Sequence, residues 1–178
     1  MGHVDVIYQT GDDALANQFE VDISSLANLF NIPDPLTFRT VSCNIPGYQV
    51  GKYTVDYKTQ RLTKPSGKIE TPNEFQLSFR ADKYWTVYQA ILAWKRYVAD
   101  EESGAMAEDV GAISGSSTFR TDIIVKAIDS NDVVTYEGWK FHLAWPSIVG
   151  DVAFEQASGD PIIVPITFDF VKMTPAKI

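Results

Sequence analysis

The chain has 178 residues, 45% hydrophobic and 12% aromatic, which suits a single domain over residues 1–178 with a core that needs no staples. A formal net charge of -8 and one cysteine, Cys43, exclude an intramolecular disulfide framework, a Cys-rich zinc site and duplex-DNA binding driven by phosphate neutralisation. No apolar run approaches the roughly 20 residues of a membrane helix, and MGHVDVIYQTGDD lacks the basic and apolar regions of a signal peptide, so no membrane association is expected.

Charge is uneven. Residues 1–47 carry one base and six acids, residues 48–82 six bases and four acids, and residues 83–178 eight bases and thirteen acids. The N-terminal segment 1–36 is weakly patterned; within it ISSLANLFNIPDP predicts a short helix after Ser24 or Ser25, stopped by Pro33 and Pro35. TFRTVSCNI (37–45) reads as a strand closed by the turn signal Pro46-Gly47.

A period of two follows. In YQVGKYTVDYKTQ, Tyr53, Val55 and Tyr57 share one face and Lys52, Thr54, Asp56 and Lys58 the other, as in a strand with one buried and one wet face. NEFQLSFRAD repeats the pattern, with Phe75, Leu77 and Phe79 against Glu74, Gln76, Ser78 and Arg80. Between them lies the basic stretch KTQRLTKPSGKIETP, whose proline-glycine signal predicts the tip of a long antiparallel hairpin joining the two strands. Arg61, Lys64 and Lys68 lack the interleaved aromatics of a nucleic-acid stacking platform. Acidic surface on another chain is their better partner.

The period then switches to 3.6. Asp82 is the expected N-cap of KYWTVYQAILAWKRYVA, an amphipathic helix of about four turns. Tyr84, Val87, Tyr88, Ile91, Leu92, Trp94 and Val98 form its packing stripe. DEESGAMAEDVGAISGSS (100–117) reads as a long acidic surface loop rich in Gly, Ala and Ser.

The last third is strand after strand. TFRTDIIVKAID and VVTYEGWKFHLAW predict a second hairpin across Ser130-Asn131-Asp132, with Trp139, Phe141, Leu143 and Trp145 alternating with Lys140 and His142 until Pro146 ends the run. DVAFEQA and IIVPITFDFVKM follow as strands, the latter burying Ile162, Val164, Ile166, Phe168 and Phe170, with Pro165 marking a sheet edge or bulge. The fold class is therefore mainly β, sandwich- or barrel-like, with two long antiparallel hairpins and one flanking helix.

Chemistry finds no foothold. His3 and His142 have no partners at metal-ligand spacing. Asp129-Ser130-Asn131-Asp132 lacks the central glycine and later ligands of a calcium loop and is better read as a turn. No phosphate-binding loop, dinucleotide fingerprint, nucleophile elbow or zinc-protease motif occurs. Cys43 has no base beside it and reads as a small buried hydrophobe. No enzyme activity, cofactor or metal is expected.

The ordered set TFRTVSCNIPGYQ, VGKYTVDYKTQRLTKPSGK, NEFQLSFRADKYWTVYQAILAWKRY, WKFHLAWP and ITFDFVKM, spanning about residues 37–172, resembles the tail tube proteins of contractile-tailed bacteriophages. Segments 1–36 and 100–117 fit that pattern least. The resemblance implies a structural virion protein of the tail tube, assembled in the host bacterial cytoplasm. Its subunits would form hexameric rings whose hairpins join into one large β-barrel, and the rings would stack inside a contractile sheath. Implied partners are other copies of the chain, the tail sheath protein and a baseplate tube initiator. The tape measure protein and phage DNA would pass non-specifically through the lumen.

On this reading Lys52, Thr54, Asp56, Lys58, Glu74, Gln76, Ser78 and Arg80 line the channel, and Arg61, Lys64 and Lys68 form a contact between subunits or rings. A mixed-charge wall would pass DNA without holding it. The plainer alternative is a solvent-facing sheet in a monomer. Two further readings stand beside the tail tube: a tube subunit of a secretion or contractile injection system or a baseplate initiator, and a ligand-binding β-sandwich using exposed Trp139 and Trp145. The similar folds of type VI secretion and pyocin tube subunits keep the first of these open.

Overall fold

In the computed structural model, residues 15–23, 40–70, 72–104, 119–128, 133–155 and 159–175 are described. The expected helix after Ser24 or Ser25, the Asp129–Asp132 turn and most of the acidic loop lie outside them. In chain order the elements are β1 (Phe19–Asp22), β2 (Thr40–Asn44), β3 (Gln49–Tyr57), β4 (Gln60–Glu70), β5 (Glu74–Arg80), α1 (Thr86–Val98), β6 (Thr121–Ile128), β7 (Val134–Val149), β8 (Ile163–Asp169) and β9 (Lys172–Pro175). The mainly β class with one flanking helix is as the sequence predicts.

Seven strands hydrogen-bond in the order β1-β6-β7-β8-β5-β2, with β9 added on β7, and all their pairings are antiparallel. β7 is the corner. Its first half pairs with β6 and β9; its second half, from Trp145 to Val149, pairs with β8. A strand that changes partners through a bend lets one sheet fold over the other, and the core lies between the two halves. Phe75 of β5 stacks on Phe141 of β7 at 4.1 Å and on Phe168 of β8 at 5.3 Å, while Phe141 meets Phe170 edge-on at 5.0 Å. The alternation expected for β5 holds: Phe75, Leu77 and Phe79 are buried, Glu74, Gln76 and Arg80 exposed and Ser78 half-buried.

The bend is built by a bulge. Thr121 opposes Ala144 and Ile123 opposes Phe141, so His142 and Leu143 together face Asp122. Leu143 takes a left-handed φ of 54° and donates its N–H to Asp122 Oδ1 at 3.1 Å. Asp122 Oδ2 also lies 2.9 Å from Lys140 Nζ and 3.5 Å from His142 Nδ1, and His142 Nε2 shares a 2.8 Å hydrogen bond with Thr174 Oγ1 on β9. Burial pushes the Asp122 carboxyl up, but the Lys140 ammonium, the Leu143 N–H and the charge of His142 outweigh it and hold its pKa below the usual value. The extra residue shifts the side-chain phase. Phe141 and then Ala144 and Pro146 are buried, whereas Leu143, expected inward, is half-buried. Pro146 does not end the strand, which runs on to Val149.

A second bulge, between Trp139 opposite Val125 and Tyr136 opposite Ala127, places Gly138 at φ 74°. A Cβ there would stand 1.7 Å from the Val125 carbonyl oxygen. Only glycine fits.

α1 starts later than predicted. Trp85 occupies the N-cap with φ 58° and makes no side-chain cap, because Lys83 and Tyr84 form a turn closed by Trp85 N–H donating to the Asp82 carbonyl at 3.0 Å. Tyr84 therefore leaves the helical stripe and is 76% exposed. Asp82 still serves the helix N-terminus from outside: its carboxylate accepts from the Thr86 hydroxyl at 3.0 Å and the Val87 N–H at 3.4 Å. Val87, Ile91 and Trp94 are buried as predicted, and Tyr88 and Leu92 are half-buried. Trp94 packs on Phe168 at 5.7 Å and satisfies its indole N–H with the Phe119 carbonyl at 2.7 Å.

Four other strand expectations change. Residues 151–155 of DVAFEQA have no regular structure, and IIVPITFDFVKM divides at Phe170-Val171 into β8 and β9. Pro165 lies on an interior strand, opposite Ser78 of β5. The register with β7 ends at Ile166, and next to it the Pro165 carbonyl still accepts from the Gly150 N–H at 2.8 Å, so at this ladder end proline lacks only a donor. The hairpin of β3 turns at Lys58-Thr59, pairing Tyr57 with Gln60, and its partner is β4 rather than β5. Lys64-Pro65-Ser66-Gly67 is thus inside β4, not a tip. The register slips between Val50 and Lys52, Gly67 takes φ 72°, and every strand of a two-stranded ribbon is an edge where proline is tolerated.

Gly138→Ala should lower stability by on the order of 3 kcal/mol, from left-handed strain plus overpacking against β6, read as a reduced urea midpoint at unchanged m-value. Asp122 contributes stability above its unfolded pKa of about 3.9 that is lost as pH falls through its lower folded value. Acidification from pH 6 to pH 3 should therefore destabilise the parent more than Asp122→Asn, compared by urea unfolding at both pH values.

Candidate assembly surface

β2 and β5 pair within the sheet, and β3 and β4 continue from their ends as a separate two-stranded ribbon. Cross-strand partners share a face, so the register sorts the ribbon's side chains. Tyr53, Val55 and Tyr57 lie with Lys64, Leu62 and Gln60; Lys52, Thr54 and Asp56 lie with Pro65, Thr63 and Arg61. One face is apolar and aromatic, the other polar. Both are exposed: Tyr57 is 64% and Tyr53 49% accessible, and of β3 and β4 only Gly51 is buried. An isolated two-stranded hairpin is marginal in water, and this one leaves an aromatic face uncovered by its own chain.

The register divides the predicted residues differently from their sequence grouping. Lys52, Thr54 and Asp56 share the polar ribbon face, while Lys58 sits in the turn at φ 53° with its ammonium 5.9 Å from the Tyr57 ring centroid. Glu74, Gln76, Ser78 and Arg80 lie on β5, which does not pair with β3. They belong to the outward face of the large sheet, where Gln76 opposes Asn44 and Thr167, and Glu74 opposes Asp169. Asp169 Oδ1 there accepts from the Ser147 hydroxyl at 3.2 Å.

The three basic residues are not one patch. Arg61 stands opposite Asp56 on the polar face and pairs with it at 2.9 Å, whereas Lys64 is opposite Tyr53 on the apolar face. Lys68 lies where the register slips, its N–H donated to Ser66 Oγ at 3.3 Å. An exposed ion pair such as Asp56–Arg61 contributes about 0.2–1 kcal/mol, enough to help hold the polar face but not the ribbon.

A second apolar surface escaped sequence reasoning. Trp85, Tyr88, Gln89 and Leu92 of the α1 region and Val152 and Phe154 of the following loop line an open groove of about 340 Å³. Trp85 meets Tyr88 at 5.4 Å and Phe154 at 5.9 Å, and Phe154 is 76% exposed. Its signal was present in DVAFEQA, whose apolar alternation reads equally well as a strand. Trp139 and Trp145, the aromatics of the ligand-binding alternative, are instead half-buried against the core. Burial pushes the Cys43 thiol up to about 12, as suits a packing residue. Among the described residues no group of His, Cys, Asp and Glu is placed to hold a metal ion.

Solved structures share this fold across nearly the whole chain. The anti-feeding prophage tube-terminating cap is similar at 14% identity and a TM-score of 0.57, covering 93% of each chain. A chain of the anti-feeding prophage baseplate is similar at 12% identity and 0.56, covering 92% of this chain and 95% of that one. A chain of the PVC sheath-tube complex, an extracellular contractile injection system in its extended state, gives 13% identity and 0.54 over 99% of both. No curated protein matches the chain. The family model described as phage tail tube protein matches residues 14–174. The chain belongs to the phage tail tube protein family, and its role is that of a structural component of the tail tube rather than an enzyme.

Proposed function

We propose that the chain polymerises with copies of itself into hexameric rings that stack into the phage tail tube, whose lumen conducts DNA into the host. The observation that carries this reading is the β3–β4 ribbon, which extends from the sheet with an aromatic face that its own chain leaves in water. Burying a Tyr, Val or Leu face against another subunit is worth roughly 1.5–3 kcal/mol per fully covered side chain. Among the described residues β1 and β2 are the outermost strands of the large sheet, and closing the sheet through neighbours would also shelter that sheet's margins.

In such a ring the lumen wall would draw on Lys52, Thr54, Asp56 and Lys58 from the ribbon and Glu74, Gln76, Ser78 and Arg80 from the sheet. Arg61, on the polar face beside Asp56, joins the first group. Charges of both signs, one of them already paired within the chain, suit a surface that DNA and the tape measure protein slide past. A contractile sheath and a baseplate tube initiator are the further partners, consistent with the sheath-tube, baseplate and cap assemblies among the similar folds. Those likenesses also favour, as a second reading, a tube subunit of a contractile injection system; the phage family match weighs toward the virion tail.

Negative-stain microscopy of the purified chain should display rings with six-fold symmetry or open tubes, and monomers at every concentration would contradict the proposal. Lys64→Glu with Lys68→Glu should impair polymerisation while leaving the fold intact by circular dichroism. Arg61→Glu acts differently, placing a like charge opposite Asp56 and weakening the ribbon itself by roughly 0.2–1 kcal/mol. Normal tubes from the Lys64/Lys68 double variant would reduce those lysines to solvated strand residues.

A further inference from the structure

Two apolar surfaces of this chain lack a cover in the same structure: the ribbon face of Tyr53, Val55, Tyr57 and Leu62, and the groove walled by Trp85, Tyr88, Leu92 and Phe154. We propose that they are the two halves of one contact, the ribbon face of one copy seating in the groove of a second copy. The proposal rests on the self-assembly reading and specifies which surfaces meet.

Size, charge and connectivity favour a second copy as the occupant. Tyr53 to Tyr57 spans about 13 Å of strand at ~3.3 Å per residue. Trp85 to Leu92 spans about 10 Å along the helix axis at ~1.5 Å per residue. The row of aromatics therefore matches the groove's length. Residues 49–70 carry five bases and two acids, while the rest of the chain carries ten bases and twenty-one acids. The loop that supplies Phe154 bears exposed Asp151 and Glu155 on either side of it and no base between them. Lys83, in the turn before α1, lies over the Tyr84 ring at 5.8 Å. An aromatic face flanked by Lys58 and Lys64 thus meets an aromatic groove whose loop side carries Asp151 and Glu155. Because donor and acceptor are different surfaces of one chain, the contact is head-to-tail, the type that generates closed rings when the rotation closes.

That asymmetry supplies the test. Tyr57→Asp spoils the ribbon face and Phe154→Asp spoils the groove; both side chains are exposed, so each variant should retain the parent's circular dichroism. Sedimentation velocity at a concentration where the parent forms rings should find each variant alone as a monomer. An equimolar mixture should give a species of twice the monomer mass that grows no further, since only one intact ribbon and one intact groove remain to meet. Assembly of either folded variant alone, like the parent's, overturns this pairing and leaves the self-assembly reading standing. A mixture that stays monomeric overturns it as well. A parent that never assembles removes the self-assembly reading, and this proposal with it.

Discussion

A two-stranded ribbon has two faces and no third layer, so an apolar face on it must be covered by something other than the ribbon. In this chain the large sheet has its own cover. β7 bends across the core, Phe75, Phe141 and Phe168 stack between the two halves, and α1 adds Trp94. The β3–β4 ribbon lies outside that arrangement, and Tyr53, Val55, Tyr57 and Leu62 remain in water. The conformational entropy of ordering its residues costs about 1–2 kcal/mol for each backbone unit. One exposed ion pair and a turn with a non-glycine residue at positive φ offset little of that. The extended, amphipathic ribbon becomes intelligible once a second molecule completes its burial, as membership of a tube-forming family leads one to expect.

The rest of the fold holds that ribbon in place. It grows from the paired ends of β2 and β5, and β5 is locked between β2 and β8 with Phe75, Leu77 and Phe79 buried. The bulge at His142-Leu143 and the glycine at 138 shape β7 so that one strand serves both halves of the sheet. Asp122 stabilises the bulge by accepting the displaced Leu143 N–H, with Lys140 supplying the opposing charge. The chemistry of these groups is structural. Their charges hold strands in register.

Much of this was legible in the residues. The alternation of β5 and the 3.6-residue stripe of α1 named the core because both elements are covered, and a covered face has a strict apolar requirement. The ribbon's faces were equally legible, but alternation identifies an apolar face without saying what covers it. Pairing was harder. Pro65 and Gly67 signal a turn yet sit in an irregular part of β4, while the true turn at Lys58-Thr59 contains neither proline nor glycine. The phase of β7 was hidden for a similar reason, since one inserted residue moves every later side chain to the other face. Tyr84 matched the helical period but precedes the helix, and Phe154 matched a strand period in a loop that forms no strand. Local pattern carried the elements; the surfaces between chains needed the three-dimensional register.

Hydrogen–deuterium exchange on the full chain, compared between dilute monomer and assembled material, tests the central claim most directly. Amides of residues 49–70 should exchange rapidly in the monomer and become strongly protected on assembly, while those of β5, β7 and β8 are protected in both. Equal protection of the ribbon in the two states, or protection that appears elsewhere and bypasses it, would contradict a structure completed by its neighbour through β3 and β4.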